Sequence, residues 1–481
     1  MNAFSFFRIE FSVLGIVAAT YIFPVIAALC FNETQVLPAF LIPMASALLI
    51  ASAFFVAGRK KKIALSTRGA FVVVAFAWIF ASVFGAIPMY FSAAIPRWID
   101  ALWESVSGFT TTGATILSEV ESLPNSINLW RAQTHWLGGM GIVALTVALF
   151  PLLGVGGFQL IKAETTGPEK GKFTPKITTT AKALWTIYIL FTCLELVLLK
   201  IAGMNFFDAL LHSFSTVGTG GFSNKNSSIG AYNSAAIDAI CTVFMFLAGV
   251  NFTLYFYLLT GKIQEIRENT EFKAYIALIF VFVLGMTFAN VQHYNGFLRS
   301  LRYSSFQTAT IISTTGFATA DYSFWPPLAQ ALIFFLFWTG GCSGSTSGGV
   351  KIIRWVILSK QANNEFLKTL HPHGVFSIRL NNRAGRKDIV FNVAAFMALY
   401  LLLLVLTTLF GTAANLDLTS AFTGALSMVG NVGPAFGALG PSCNYGFLPA
   451  ALKGWYMFAM LAGRLELYTM IIFFFPEFYK K

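Results

Sequence analysis

The sequence predicts an all-α integral membrane fold of about ten transmembrane helices. A two-helix N-terminal hairpin precedes four pseudo-repeats of helix, short re-entrant loop and helix, arranged around one central axis. Three observations lead there. Hydrophobic residues make up 56% of the 481 and charged residues only 11%, too few charges to solvate a water-soluble surface of this size. At roughly 20 apolar residues per crossing, the chain holds on the order of ten spans. Finally, a short glycine-bearing signature recurs four times along the chain, at the spacing of a duplicated helix–loop–helix unit.

The N-terminal hairpin (1–65) comes from apolar runs at about 8–31 and 36–57, joined by a turn holding Asn32 and Pro38. The first run lacks a small-residue cleavage site and reads as a retained helix. The repeats follow at 66–160, 175–262, 270–360 and 386–476. In each, a short segment (about 99–112, 206–220, 297–315 and 417–432) lies between long apolar helices, too short to cross a core of about 30 Å. Their ends read Thr110-Thr111-Thr112-Gly113, Val217-Gly218-Thr219-Gly220-Gly221, Ser313-Thr314-Thr315-Gly316 and Gly430-Asn431-Val432-Gly433. Aligned on Gly113, Gly221, Gly316 and Gly433, the intervals are 108, 95 and 117 residues. Asp100 and Asp208 each precede their glycine by 13 residues, which favours Gly221 over Gly220. Both aspartates read as N-caps of the short helices.

The net charge is +12, and most basic residues cluster in alternate connectors: Arg59 to Arg68, Lys162 to Lys182, Lys262 to Lys273 and Lys351 to Lys387. Arg8, Lys480 and Lys481 mark the termini, whereas the other connectors hold mainly Arg97, Arg131, Lys225, Arg299 and Arg302. The positive-inside rule then makes both termini cytoplasmic, and an even number of crossings agrees. No basic stripe or patch suits nucleic acid. The five cysteines and five histidines lack metal-ligand spacing. No HExxH, catalytic dyad or carboxylate cluster appears, which argues against an enzyme, and no cofactor is implied.

Non-helical backbone at membrane depth is tolerated only when buried in protein or lining a wet cavity. Four re-entrant turns around one axis let backbone carbonyls replace the water shell of a cation. The candidate ligands are Thr111, Thr112 and Gly113; Thr219, Gly220 and Gly221; Thr314, Thr315 and Gly316; and Asn431, Val432 and Gly433. The same glycines also suit helix packing or C-caps. A second feature is the run Thr339 to Gly349, with five glycines in eleven residues. At about 1 kcal/mol per glycine it breaks the helix that starts near Pro326. Gly340, Gly341, Ser343, Gly344, Ser345, Gly348 and Gly349 then form a loop across the cavity that serves as a gate, or a site of close helix packing. Arg464, inside the last span, either faces the path as a barrier to cations or pairs with another helix.

With these residues in view the chain resembles the Trk/Ktr/HKT potassium transporters, and within them the TrkH type. The resemblance rests on Gly108-Phe109-Thr110-Thr111-Thr112-Gly113-Ala114, Trp136-Leu137-Gly138-Gly139-Met140-Gly141 and Ser215 to Phe222. It continues through Gly340 to Thr346, His371-Pro372, Gly430 to Gly433 and Gly463-Arg464, so it covers nearly the whole chain. It implies potassium as the transported ion, a homodimer with one pore per protomer, a cytosolic nucleotide-binding regulator of the TrkA type and a bacterial inner membrane. Relatives that select sodium tend to carry serine at the first-repeat glycine, so Gly113 favours potassium. No repeat carries a full Thr-Val-Gly-Tyr-Gly, which implies fewer carbonyl rings and weaker selectivity. Connectors 359–387 and 162–182 are the expected docking surfaces for the regulator. The alternative is an alternating-access secondary transporter that couples potassium to sodium or protons through a midplane site.

Overall fold

A computed structural model describes residues 3–59, 66–141, 177–381, 383–384 and 388–480. Connector 162–182 therefore lies almost wholly outside the described residues, as do residues 142–160 of the first repeat. Apart from a two-residue antiparallel ladder, Arg379–Leu380 with Arg383–Ala384, every described element is helical. The all-α membrane fold is the one expected.

The hairpin comprises α1 (Ala3–Ala19), α2 (Ile22–Cys30) and α3 (Leu37–Gly58). The break between α1 and α2 follows from Pro24, which has no N–H to donate to the Thr20 carbonyl. That carbonyl takes the Phe23 N–H instead, at 3.2 Å. Gly15 lets α1 and α3 approach closely, since a methyl there would sit 2.8 Å from the Ala51 methyl. On α3, Ile42, Leu49 and Val56 recur a heptad apart and are 68–72% exposed. This stripe suits a lipid environment.

Each repeat then opens with a long apolar helix: α4 (Thr67–Phe91), α7 (Ile177–Ile201), α12 (Thr270–Asn290) and α16 (Asp388–Ala413). Each continues with a short helix: α5 (Trp98–Phe109), α8 (Phe206–Val217), α13 (Phe297–Ile312) and α17 (Leu418–Gly430). Asn205 and Asp417 cap α8 and α17, accepting from the backbone N–H of Asp208 (2.7 Å) and Ser420 (3.0 Å). Asp100 and Asp208 are thus not the N-caps expected from sequence; they lie one turn inside. Asp100 accepts from Lys453 at 2.6 Å, and Asp208 accepts from Asn224 (2.6 Å) and Tyr232 (2.7 Å).

The closing helices of the second, third and fourth repeats are interrupted, and the described part of the first ends at Gly141. α6 (Asn125–Gly139) stops before Gly141, which has φ +73°. α9 (Ala235–Ala248) and α10 (Phe252–Leu259) meet at a 91° bend. A short α11 (Ile263–Arg267) then leads to the third repeat. There α14 (Pro327–Leu336) gives way to a loop, and α15 (Ile352–Leu370) follows. α18 (Ala450–Arg464) breaks before α19 (Tyr468–Ile471), with Glu466 and Leu467 both at positive φ. Six helices among the described residues are long and apolar enough to cross a membrane, or seven with the bent pair. About ten transmembrane helices were expected; the breaks in repeats two to four lower the count, and residues 142–176 lie outside the described ones.

Candidate functional site

The four short helices end alike. The i→i−5 bonds Thr112 N–H to Ser107, Gly220 to Ser215, Thr315 to Thr310 and Val432 to Ser427 span 2.8–2.9 Å. Inside each lies an i→i−3 bond from Thr111, Thr219, Thr314 or Asn431. These are Schellman terminations, whose left-handed residue is usually glycine. Here it is threonine three times and asparagine once, at φ +53° to +56°. A β-branched residue in that region is strained, and strain of this kind clusters at functional sites.

Two residues later the glycines complete the arrangement. Gly113, Gly221, Gly316 and Gly433 have φ +74°, +80°, +86° and +102°. A methyl on Gly113 would lie 2.0 Å from the Gly220 carbonyl oxygen; on Gly221, 2.0 Å from that of Thr315; on Gly316, 2.3 Å from that of Val432; on Gly433, 2.5 Å from that of Thr112. The contacts run from repeat one to two, three, four and back to one. The structure therefore brings all twelve candidate residues together in one closed ring. Across it the span is narrow, because the methyl on Gly113 would also reach the Thr315 oxygen at 3.6 Å. Four helix C-termini abut this ring, and their dipoles favour positive charge there.

Side chains brace the ring from behind. Thr110 and Thr112 hydroxyls lie 2.8 Å apart, and Ser313 and Thr315 hydroxyls 2.6 Å. Asn431 donates to the Thr112 hydroxyl (3.0 Å) and to the Met460 carbonyl (2.9 Å), joining repeats four and one. The Thr111 hydroxyl is buried without a hydrogen-bond partner.

One buried ion pair backs the first two turns. Arg131 on α6 meets Glu104 on α5 at 2.6 Å, and Glu104 also accepts from the Thr115 hydroxyl (2.9 Å) and Ile116 N–H (3.2 Å). The Arg131 guanidinium lies 4.3 Å from the Phe222 ring centre. Its sequence assignment to an external connector is therefore corrected: Arg131 is wholly buried. One turn on, His135 stacks on Phe222 at 4.1 Å and its Nδ1 accepts from the Phe222 N–H at 3.3 Å. Sequence reasoning set this histidine aside for want of metal-ligand spacing. The i, i+4 placement of Arg131 and His135 just before Trp136-Leu137-Gly138-Gly139 was the usable signal.

The glycine-rich loop lies against the ring. Gly348 N–H donates to the Thr314 hydroxyl at 2.6 Å, and a methyl on Gly348 would come within 2.6 Å of the Gly430 oxygen. Gly340 N–H donates to Val350 (2.9 Å) and Gly341 N–H to the Ser347 hydroxyl (3.0 Å). The Ser345 hydroxyl donates to the Cys342 carbonyl at 2.6 Å. Gly344 and Gly349 take the left-handed conformation, at φ +76° and +68°. The bend of the second repeat holds the loop too: Cys342 N–H donates to Gly249 (2.8 Å) and Phe252 N–H to Gly344 (3.0 Å). That bend, at Gly249-Val250-Asn251, was missed in the sequence, where a lone glycine is a weak signal.

Arg464 reaches this layer from α18. It donates to the carbonyls of Thr346 (2.7 Å), Gly138 (2.7 Å) and Gly139 (3.1 Å). Its neighbour Glu466 pairs instead with Arg354. The arrangement is a ring of main-chain oxygens with a hydrogen-bonded loop and a guanidinium on one side of it. Among the described residues no cluster of three or more His, Cys, Asp or Glu could hold a metal.

Comparison with known proteins gives a consistent result. A family model described as "TrkH: Cation transport protein" matches residues 37–480. The Trk system potassium uptake protein TrkH of Halomonas elongata is 37% identical over 487 residues, covering 98% of this chain and 99% of that protein. The Escherichia coli K12 protein of the same name is 39% identical over 441 residues, covering 90% and 91%. The crystal structure of the potassium transporter TrkH from Vibrio parahaemolyticus superposes with a TM-score of 0.88 at 32% identity, over the full length of both chains.

Proposed function

The chain belongs to the TrkH family of cation transport proteins, and from that membership we propose that it takes potassium up through a channel-like pore with a four-turn selectivity filter. It is an integral membrane protein of a bacterial transporter family, and a transporter rather than an enzyme. The closed cycle of Gly113, Gly221, Gly316 and Gly433 against the Gly220, Thr315, Val432 and Thr112 oxygens carries the reading. Prearranged carbonyls replace the hydration shell at little reorganisation cost, and the helix C-termini offset the remaining desolvation. Potassium is the transported species and no cofactor takes part.

The loop around Gly340 to Gly349 is the gate, held across the path beneath the ring, and Arg464 adds a positive barrier there. Connector 359–387 receives a cytosolic regulator of the TrkA type. The protein works as a homodimer with one pore per protomer, in the bacterial inner membrane, with both termini cytoplasmic as the lysine and arginine bias requires.

Gly113→Ser tests the reading. A side chain at φ +74° is strained, and its Cβ would displace the Gly220 carbonyl from 2.0 Å. Proteoliposomes should lose preference for potassium over sodium. Unaltered flux and selectivity would overturn the filter. Flux that saturates and depends on a sodium or proton gradient would favour alternating access instead.

A further inference from the structure

One carboxylate outside the ring grips both limbs of the glycine-rich loop. Glu271, in the first turn of α12, is 6% exposed. Its Oε1 accepts from Ser343 N–H at 2.7 Å and from Ile353 N–H at 3.1 Å. Those two amides bracket the segment that touches Thr314 and Asn431. The base of the loop is also closed directly, by Gly340 N–H to Val350 (2.9 Å) and Ile352 N–H to Gly341 (3.3 Å), and Glu271 joins the same two limbs from a neighbouring helix.

The residue beside Glu271 is fastened to a different part of the chain. Thr270 N–H donates to the Asn381 side-chain oxygen at 2.9 Å, and Asn381 N–H donates back to the Thr270 hydroxyl at 3.1 Å. Asn381 is the turn of the ladder formed by Arg379–Leu380 and Arg383–Ala384, at φ +48°. Leu380 packs in one buried cluster with Ile353, Ile357 and Val393, so the ladder reaches both the Thr270 side and the Ile353 side of the same carboxylate. Lys360 strengthens the seat, donating to the Arg379 carbonyl at 2.6 Å. The ladder is thus in contact with the elements that carry both hydrogen bonds to the loop.

We infer that Glu271, seated by the Asn381 turn, is the latch that holds the intramembrane loop across the path, and that movement of the ladder of Arg379–Leu380 and Arg383–Ala384 in connector 359–387 releases it. The inference rests on the gate reading above and adds to it a positioning residue and a mechanical input. Backbone amides given to a carboxylate are charge-assisted bonds, and losing one shifts a closed–open balance about tenfold. Contiguity alone does not establish coupling, so the test measures it.

Hydrogen exchange of residues 343–353 and rubidium flux in proteoliposomes are measured on the full chain for Glu271→Ala, Glu271→Gln, Asn381→Ala and the double variant Glu271→Ala/Asn381→Ala. Glu271→Ala, which removes both bonds, should speed exchange and raise flux by at least about tenfold, with the rubidium-to-sodium ratio unchanged. Glu271→Gln, which keeps an acceptor oxygen, should restore most protection. Asn381→Ala should act in the same direction, and the double variant should do no more than Glu271→Ala. Unchanged exchange in Glu271→Ala would overturn the latch. Faster exchange with unchanged flux would overturn the gate while leaving Glu271 as the anchor of the loop. Additive single effects would overturn the link to the connector.

Discussion

Arg464→Ala separates a barrier from a brace. The guanidinium donates to the carbonyls of Thr346, Gly138 and Gly139, and Thr346, at 2.7 Å, belongs to the glycine-rich loop. A bond to a charged group is worth about 1.5–3 kcal/mol. Losing it shifts the loop toward the open state by about tenfold to a hundredfold, and the same substitution deletes a positive charge beneath the filter. None of these three bonds goes to Thr112, Gly220, Thr315 or Val432, so ion preference should hold. Rubidium uptake into proteoliposomes should rise by at least about tenfold, with the rubidium-to-sodium ratio unaltered. Arg464→Lys, which keeps the charge but not the planar fork, should fall between. Lower flux, or none of these changes in protein that elutes and melts like the parent, would refute the barrier role.

The remaining predictions concern the ring and its support. Gly221→Ala must move the Thr315 oxygen, 2.0 Å from the new methyl, so selectivity in the same uptake assay should fall as it does for Gly113→Ser, because the four positions act as one ring. Arg131→Met strands Glu104 in a buried site and should cost about 3–5 kcal/mol, read as a lowered melting temperature in detergent. Asp417→Ala removes an N-cap and should cost about 1 kcal/mol at neutral pH. Hydrogen bonds from Ser420 hold the Asp417 carboxyl below its ordinary range. Its contribution is therefore complete above the unfolded value, about 3.9, and fades as pH falls through the lower folded value. The melting difference between variant and parent should narrow toward pH 3.

Much of this architecture is legible in the chain because the repeat writes it four times. The short helices and their glycine ends follow from length, phase and turn chemistry, all local properties. The spacing of Asp100 and Asp208 singled out Gly221, which takes a positive φ (+80°) like its three counterparts, although neither aspartate is a cap; the spacing records duplication, whatever the side chain does. What escaped is long-range. Arg131 looked like a connector charge because its partner, Glu104, lies 27 residues away on another helix. Glu271 gave no signal at all, since its partners are amides of Ser343 and Ile353 and its seat is Asn381, 111 residues from Thr270. The break after Arg464 was hidden because Glu466 and Leu467 take positive φ without a glycine. Glu466 there pairs with Arg354, 112 residues away, which no local pattern reveals.

The central claim is that the four turns dehydrate one monovalent cation with main-chain oxygens. Anomalous diffraction from crystals soaked in rubidium tests it most directly. A peak on the axis of the ring, within about 3.5 Å of the Thr112, Gly220, Thr315 and Val432 carbonyl oxygens, is the predicted result. Rubidium bound elsewhere in the membrane region, with the ring empty at saturating concentration, would contradict it.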